Sequence, residues 1–469
     1  MPPINKKVHF MGIGGSGVSG VAVIAHSQGY EISGCDLQTD TPYLVGLKKL
    51  GIKIFVGHNE NHIHNSDILA VSPSVFFQNS TQPEVTLAKK VNKLITWQNF
   101  VGDYLQRGKK VICIAGTHGK STTTALAGFL FENAKVDPLV VIGANVDKWG
   151  GNARIGKGEI FITESDEFYD NFLNYTPETI VLNNIEFDHP DYFKDETMLL
   201  NSFAKHIKSL KGGKTLIFNQ DSPGIKKLFD LLKVKNLSNL ELLGYTISDK
   251  PLINTNVSIK AEAIKLDKDK TSFIAKSTQL DLNNRFVLKL PGIHNVSNSL
   301  GVIALGIKYN IPLATITKTL LNFDGIGRRL ELISKPGKIK VYDDYAHHPT
   351  AISATLSALR QMYPHQTIRC IVEPHTFSRT KSLLSNYRNV FNDANEVIIT
   401  PIFKSRDTSN FGVSSESIVK VSNHKRISYV DSFEKILVIL RKKVKKSDIV
   451  VVMGAGNSYK LARDIVSKI

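Results

Sequence analysis

No stretch of about 18 or more consecutive apolar residues occurs in the 469-residue chain, so a membrane-spanning helix is not expected. Cysteine is scarce. Cys35, Cys113 and Cys370 are odd in number, widely scattered and free of C-x-x-C spacing. They exclude a disulfide framework, offer no zinc pattern and suit a reducing cytoplasm. Met1 to Lys7 contains no apolar signal-type segment, which argues against export. Short-period repeats and low-complexity tracts are also missing. Acidic residues are in deficit, 42 against 59 lysines and arginines, for a formal charge of +17. The basic excess is dispersed, and its densest run, Arg441 to Lys446, precedes an apolar strand pattern at Ile449 to Met453 and reads as a solvated helix end. Without zinc-finger spacing or an RNP-like aromatic motif, no nucleic-acid partner is expected; the charge suits anionic nucleotide substrates. At roughly 150 residues per domain, this length predicts about three domains.

What the chain does carry is a phosphate loop. Gly116-Thr117-His118-Gly119-Lys120-Ser121-Thr122 follows the apolar run Val111 to Ala115 and opens a helical pattern through Ala125, Leu126, Phe129 and Leu130. Backbone N–H groups of such a turn, at a helix N-terminus, bind phosphate oxygens. Lys120 would reach the β/γ-phosphates and Ser121 a magnesium ion. The strict pattern has a glycine six positions before the lysine, where this chain has Ile114. ATP is therefore the expected cosubstrate.

A second glycine pattern lies at the start. Lys7 to Met11 reads as a strand, and Gly12, Gly14 and Gly17, with Gly15 and Ser16 between them, fit G-x-G-x-x-G before a helix over Val18 to Ser27. A strand over Tyr30 to Gly34 leads to Asp36, placed to accept from a ribose hydroxyl. Alone, this pattern would indicate an NAD-dependent dehydrogenase. Beside an ATP loop a hundred residues on, it fits a nucleotide-linked substrate better.

Strand patterns at Lys53–Val56, Ile68–Val71 and Leu94–Ile95 complete a first βαβ domain. The central region has strands at Ile160–Ile162, Thr179–Leu182 and Thr215–Phe218, then a β-rich stretch over Asn254 to Leu290 that predicts antiparallel strands appended to the sheet. Strand patterns at Ile339–Val341, Arg369–Val372, Glu396–Thr400 and Ile449–Met453 predict a third α/β unit. Two polar clusters, Glu164 to Glu167 and Asn183 to His189, each follow a central strand. Ligands of open α/β sheets bind beyond the carboxyl ends of strands, so both clusters can converge on the phosphate loop, where carboxylate and imidazole suit magnesium beside ATP phosphates.

These motifs together resemble the Mur ligase family of ATP-dependent, amide-forming enzymes of cytoplasmic peptidoglycan precursor synthesis. The resemblance covers the whole chain and implies an α/β architecture of three domains: residues 1–107, a Rossmann-like UDP-substrate domain; 108–325, a central P-loop ATPase-like domain; and 326–469, a Rossmann-like domain that binds the amino acid. It implies ATP and Mg2+ as cofactors, with Ser121, Glu164, Glu167 and His189 as metal ligands and either glutamate as the direct one. Gly292 to Asn298 resembles the adenine-contacting segment, with His294 and Asn295 as contacts. Phe323 to Arg329 resembles the hinge into the third domain, from which Arg329 and Asp344 would reach the nucleotide.

Within the family the alanine-adding branch is the nearer, with UDP-N-acetylmuramate and L-alanine as the implied substrates. Gly12 to Gly17 resembles its diphosphate loop, and Ser72 stands where a further substrate contact is expected. Asp343 to Thr350, with Tyr345, His347 and His348, resembles one amino-acid motif; Glu373 to Thr380, with His375 and Arg379, resembles the other. Thr376 stands where an arginine is usual, so Arg379 is the cation left for an incoming carboxylate and an arginine at 376 is expected to be tolerated. Lys120, His189, His347 and Arg379 are the implied catalytic group. The branch that attaches a recycled tripeptide is the alternative, and a nucleic-acid-binding ATPase or a dehydrogenase are alternatives of another class.

Overall fold

Apolar strands of the kind read above assemble into three sheets in the computed structural model, which describes residues 6–38, 40–78, 81–233 and 239–469. The first holds β1 (Lys7–Met11), β2 (Glu31–Asp36), β3 (Lys53–Val56), β4 (Ile68–Val71) and β5 (Leu94–Thr96) in the order β3-β2-β1-β4-β5, all parallel. Alternation along β1 sends Val8 and Phe10 into a core shared with the helix Ser16–Ser27, and Met11 into a smaller core on the opposite face. That helix begins two residues earlier than its apolar pattern, because Gly15 takes the N-cap position.

The second sheet has ten strands: β6 (Lys110–Ala115), β7 (Leu139–Val146), β8 (Gly151–Arg154), β9 (Ile160–Ser165), β10 (Thr179–Leu182), β11 (Thr215–Asn219), β12 (Glu241–Thr246), β13 (Ser258–Leu266), β14 (Thr271–Ser277) and β15 (Leu282–Leu288). Its order is β15-β14-β13-β12-β11-β10-β6-β9-β7-β8. β6 lies between β10 and β9, parallel to both, so the three carboxyl ends share one edge. The antiparallel extension β13-β14-β15 sits where the β-rich stretch predicts it, joined through β12. The β7–β8 hairpin, which opens on the apolar run Leu139 to Ile142, was not among the expected strands. It docks the two domains: Asn152 Nδ2 donates to Ser19 Oγ at 2.8 Å and also to Ser16 O, and a Cβ on Gly20 would come within 2.7 Å of Asn152 O.

The third sheet comprises β16 (Glu331–Leu332), β17 (Lys340–Asp344), β18 (Ile368–Val372), β19 (Glu396–Ile399), β20 (Ile427–Tyr429) and β21 (Ile449–Met453), ordered β16-β17-β21-β18-β19-β20. Only the β16–β17 pairing is antiparallel. The chain passes from β17 through the helix Pro349–Met362 to β18, leaving β21 between them. Segments 345–348 and 375–379 therefore follow the carboxyl ends of two parallel strands that flank β21, on the same edge. Arg441, Lys442 and Lys443 close the helix Phe433–Lys443, as the charge run suggested.

Candidate active site

The phosphate loop takes its shape from two glycines. Gly116 has φ of +130°, and a Cβ there would lie 2.8 Å from Asn184 O; Gly119, at φ +79°, caps the helix Lys120–Asn133. Side chains would strain both backbones. Asn184 steadies the loop by accepting from His118 N through Oδ1 at 2.8 Å.

Lys120 Nζ donates to Glu167 Oε2 at 2.7 Å and lies 3.5 Å from Asp166 Oδ1. Burial alone would depress its pKa, but these two carboxylates outweigh that and raise it. Burial pushes the Glu167 carboxyl up to about 7 against the pull of Lys120. One residue along, Ser121 Oγ donates to Glu164 Oε1 at 3.0 Å, and Gly143 N donates to Glu164 Oε2 at 2.8 Å. Arg329 reaches across from the third domain, its Nη2 donating to Ser121 Oγ at 3.0 Å.

Ligand atoms of Asp166, Glu167 and His189 lie within 4.8 Å of one another. Glu167 Oε1 is buried without a hydrogen-bond partner. His189 is held well below its ordinary pKa by burial, with Arg379 and Arg406 adding to the effect, so its imidazole is neutral. An orphaned carboxylate oxygen, a second carboxylate and a neutral imidazole fit a divalent cation. The four expected metal residues therefore fall into two neighbouring sets: Glu167 and His189 join Asp166, which the sequence reading did not single out as a ligand, while Ser121 and Glu164 bind each other.

The 183–189 segment is also where the second and third domains meet. Arg379 Nε donates to Asp188 Oδ1 at 2.6 Å, and its Nη1 lies 2.9 Å from His375 Nδ1. The guanidinium holds the Asp188 carboxyl well below its usual range against burial. Arg406 pairs with Asp191, and its Nη2 lies 3.3 Å from His189 Nδ1. Thr350 Oγ1 donates to Glu186 Oε1 at 2.6 Å, while His118 Nε2 lies 2.9 Å from Glu186 Oε2. Although burial opposes it, the His118 contact and the nearby His348 bring Glu186 down to about 2.

His347 Nδ1 contacts Tyr345 O at 2.9 Å, and burial, with Arg379 nearby, lowers its pKa to about 3. His348 is lowered to about 4 by burial and His118, and the His375 ring stands 5.4 Å from that of His347. Tyr345 lies under the guanidinium groups of Arg328 and Arg329, at 5.1 and 4.9 Å from its centroid. Asp344 lies beside Arg329. Its buried carboxylate accepts from Leu330 N and Ala346 N, at 2.6 Å each, and so braces the backbone there. Thr376 is fully buried at φ +64° and caps the helix Phe377–Ser382, accepting from Arg379 N at 3.3 Å.

His294 and Asn295 begin the helix Ile293–Lys308, where Asn295 Nδ2 donates to Pro291 O at 2.7 Å and burial lowers His294 to about 4. This helix abuts the phosphate loop, since a Cβ on Gly119 would meet Asn298 Oδ1 at 2.5 Å. In the first domain, Asp36 Oδ2 accepts from Gly14 N at 2.8 Å and so fixes the glycine loop itself. A Cβ on Gly12 would stand 3.0 Å from Ser72 Cβ, and one on Gly17 2.8 Å from Trp97, so both Ser72 and Trp97 line that loop. The glycine loop and phosphate loop stand on separate sheets. Tyr43 brings the first domain toward the second site: burial pushes its phenol up to about 12, with Tyr345, Arg328, Arg329 and Glu164 all close enough to act on it.

Asp166, Asp188 and Glu186 lay inside motifs already quoted, but Asp166 draws its role from His189 on a separate strand end, and Asp188 and Glu186 draw theirs from the third domain. Asp191 and Arg406 had no pattern to announce them.

Residues 7–102 match the Mur ligase family catalytic domain, 114–306 the Mur ligase middle domain and 328–456 the Mur ligase glutamate ligase domain. Proteins named UDP-N-acetylmuramate--L-alanine ligase from Caldicellulosiruptor bescii and Clostridium acetobutylicum are 34% and 35% identical; the alignments cover 99% of this chain and 99% and 98% of theirs. The crystal structure of a UDP-N-acetylmuramate-alanine ligase from Thermotoga maritima superposes with a TM-score of 0.80 at 25% identity, covering 99% of both chains.

Proposed function

The chain belongs to the Mur ligase family, and from that premise we propose that it joins L-alanine to the carboxylate of UDP-N-acetylmuramate at the expense of ATP. The observation that carries the reading is the convergence of Lys120, Glu167, His189 and Arg379 at the edge where the second and third domains meet. In this reading residues 1–107 take the UDP-sugar, 108–325 ATP and 326–469 the amino acid, and the step is cytoplasmic.

A carboxylate resists attack by an amine until its oxygen becomes a leaving group. Transfer of the γ-phosphoryl of ATP to the muramoyl carboxylate, with release of ADP, supplies an acyl phosphate. The alanine amine then attacks the carbonyl carbon, the C–O bond to phosphate breaks, and the amine loses a proton. Lys120, at the head of its helix, offsets charge on the transferring phosphoryl group, where positioning and electrostatics provide most of the catalysis. Mg2+, held by Glu167, His189 and Asp166 with Ser121 and Glu164 beside them, would neutralise phosphate charge when bound. Arg329 closes the third domain over Ser121. His347 and His348, neutral near pH 7, are suited to a substrate hydrogen bond. Arg379 would hold the amino-acid carboxylate.

The test is ADP release by the purified protein with UDP-N-acetylmuramate against a panel of amino acids and the tripeptide. L-Alanine should stimulate most. Preference for the tripeptide, or turnover dependent on DNA or RNA alone, overturns the assignment.

A further inference from the structure

The first domain gathers a second set of metal-ligand side chains, away from the phosphate loop and on the face of its sheet opposite the helix Ser16–Ser27. His9 from β1, Cys35 from β2, His62 from the helix Asn61–His64 and Glu84 from the helix Pro83–Lys90 each point one ligand atom at a common space, all within 4.8 Å of one another. His9 Nε2 and His62 Nδ1 stand 3.2 and 3.4 Å from Glu84 Oε1, and Cys35 Sγ 3.5 Å from the same oxygen. Around a tetrahedral zinc ion, bond lengths of about 2.0–2.3 Å place neighbouring ligand atoms roughly 3.3–3.6 Å apart, the longer values involving sulfur. The three separations that meet at Glu84 Oε1 match edges of such a tetrahedron, and the remaining pairs lie within 4.8 Å.

Three further features point to a ligand. His9 Nε2 and His62 Nδ1, on side chains at least nine-tenths buried, make no well-angled hydrogen bond and face only the shared Glu84 Oε1. Their neighbours already hold the outer positions: His9 Nδ1 bonds Ser33 Oγ at 2.8 Å, Glu84 Oε2 accepts from Asn59 N at 3.1 Å, and Phe55 stacks on His62 at 4.4 Å. Outer contacts of this kind fix the tautomer and orientation of metal ligands. His58 Nδ1, 3.2 Å from Cys35 Sγ, stands as an outer contact to the sulfur. A dication bound by one thiolate, one carboxylate and two neutral imidazoles also carries no net charge, which removes the main cost of burying Glu84.

We propose that His9, Cys35, His62 and Glu84 form a structural zinc site that pins two helices of the first domain to its sheet. Binding forms four bonds to the metal, with nitrogen, nitrogen, oxygen and sulfur donors, and releases the Cys35 thiol proton to solvent without any redox change. The site reaches the glycine loop directly, because Cys35 O accepts from Gly12 N at 2.8 Å and Ile13 N at 3.1 Å, and the next residue, Asp36, holds Gly14. It is independent of the ligase reading above.

The full chain, stripped with a chelator and dialysed, should take up about one zinc per molecule from zinc chloride alone, with a rise in melting temperature. Cobalt chloride alone should give visible tetrahedral bands and a near-ultraviolet sulfur-to-cobalt band. The His189→Ala variant should keep that stoichiometry, which separates this site from the one at the phosphate loop. Cys35→Ser should lose the sulfur band, and Glu84→Gln should weaken uptake at least tenfold. Should either variant fail to fold, the wild-type cobalt spectrum still decides. No sulfur band in the wild type, zinc uptake lost in His189→Ala, or equal zinc stabilisation of Cys35→Ser and wild type would each overturn the proposal.

Discussion

Arg379 Nε donates to Asp188 Oδ1 at 2.6 Å across the junction of the second and third domains, with both side chains buried. The same guanidinium contacts His375 through Nη1, so it joins the domains while still presenting Nη2 toward His189. One residue thus links domain docking to the candidate metal site.

Replacing Arg379 with lysine keeps a charge for Asp188 but removes the planar fork that serves several acceptors at once. KM for the amino acid should rise by about tenfold or more, with KM for ATP nearly constant. Steady-state kinetics with each substrate varied will show this. Equal increases in both constants would mean that Arg379 serves docking alone.

Lys120→Ala should abolish ligation and leave binding of UDP-N-acetylmuramate nearly unchanged, because the glycine loop and phosphate loop belong to separate sheets. Calorimetry of the variant with the UDP-sugar checks the second half. Loss of that binding would sink the two-site assignment.

Both phosphate-binding loops were legible in the sequence because each packs its chemistry into seven or fewer consecutive residues at a strand-to-helix junction. The strand ends carrying Glu164, Asn183 and Tyr345 were legible for a similar reason: apolar runs stop where polar clusters begin. What local pattern cannot carry is pairing between distant segments. Glu164 settles on Ser121 and Glu167 on Lys120, a division that depends on how β9 turns beside β6. Asp344 accepts from the amides of Leu330 and Ala346, a bracing that no local pattern announces. The His9–Cys35–His62–Glu84 group draws on four separate elements, so no spacing rule finds it, and the scarcity of cysteine argued against it.

Glu373 sets a pH-dependent term in the third domain. Burial raises its carboxyl to about 7, even though Ser458 N donates to Oε2 at 3.1 Å. A folded-state pKa above the unfolded value of about 4.3 means a stabilising contribution present at low pH and lost as pH rises through about 7. Glu373→Gln should therefore gain stability relative to wild type between about pH 5 and pH 8, by about 4 kcal/mol at most. Denaturant melts of both proteins across that range give the difference, and a flat difference would show that the carboxyl titrates normally.

His189→Ala should raise the magnesium concentration needed for half-maximal ligation, because it removes one donor from a site that Asp166 and Glu167 would then hold with phosphate and water. Stability should change little, since alanine meets the same φ of +55° that histidine already adopts. A magnesium titration that superposes on wild type would leave His189 a packing role against Phe168.

Thr376 offers the sharpest separation between fold and function in the amino-acid motif. Its φ of +64° and ψ of 140° lie in a region that glycine enters readily and a β-branched residue does not. Its hydroxyl recovers part of that strain by capping the helix that carries Arg379, a contact worth about 1 kcal/mol. Thr376→Gly should therefore lie within about 1 kcal/mol of wild type, as lost capping and relieved strain offset one another. Thr376→Arg should lower the melting temperature by several degrees and cut activity, because a guanidinium must enter a fully buried position. Thermal melts of the pair decide it: an arginine variant as stable as the glycine variant would mean that this segment can open to admit a second cation beside Arg379.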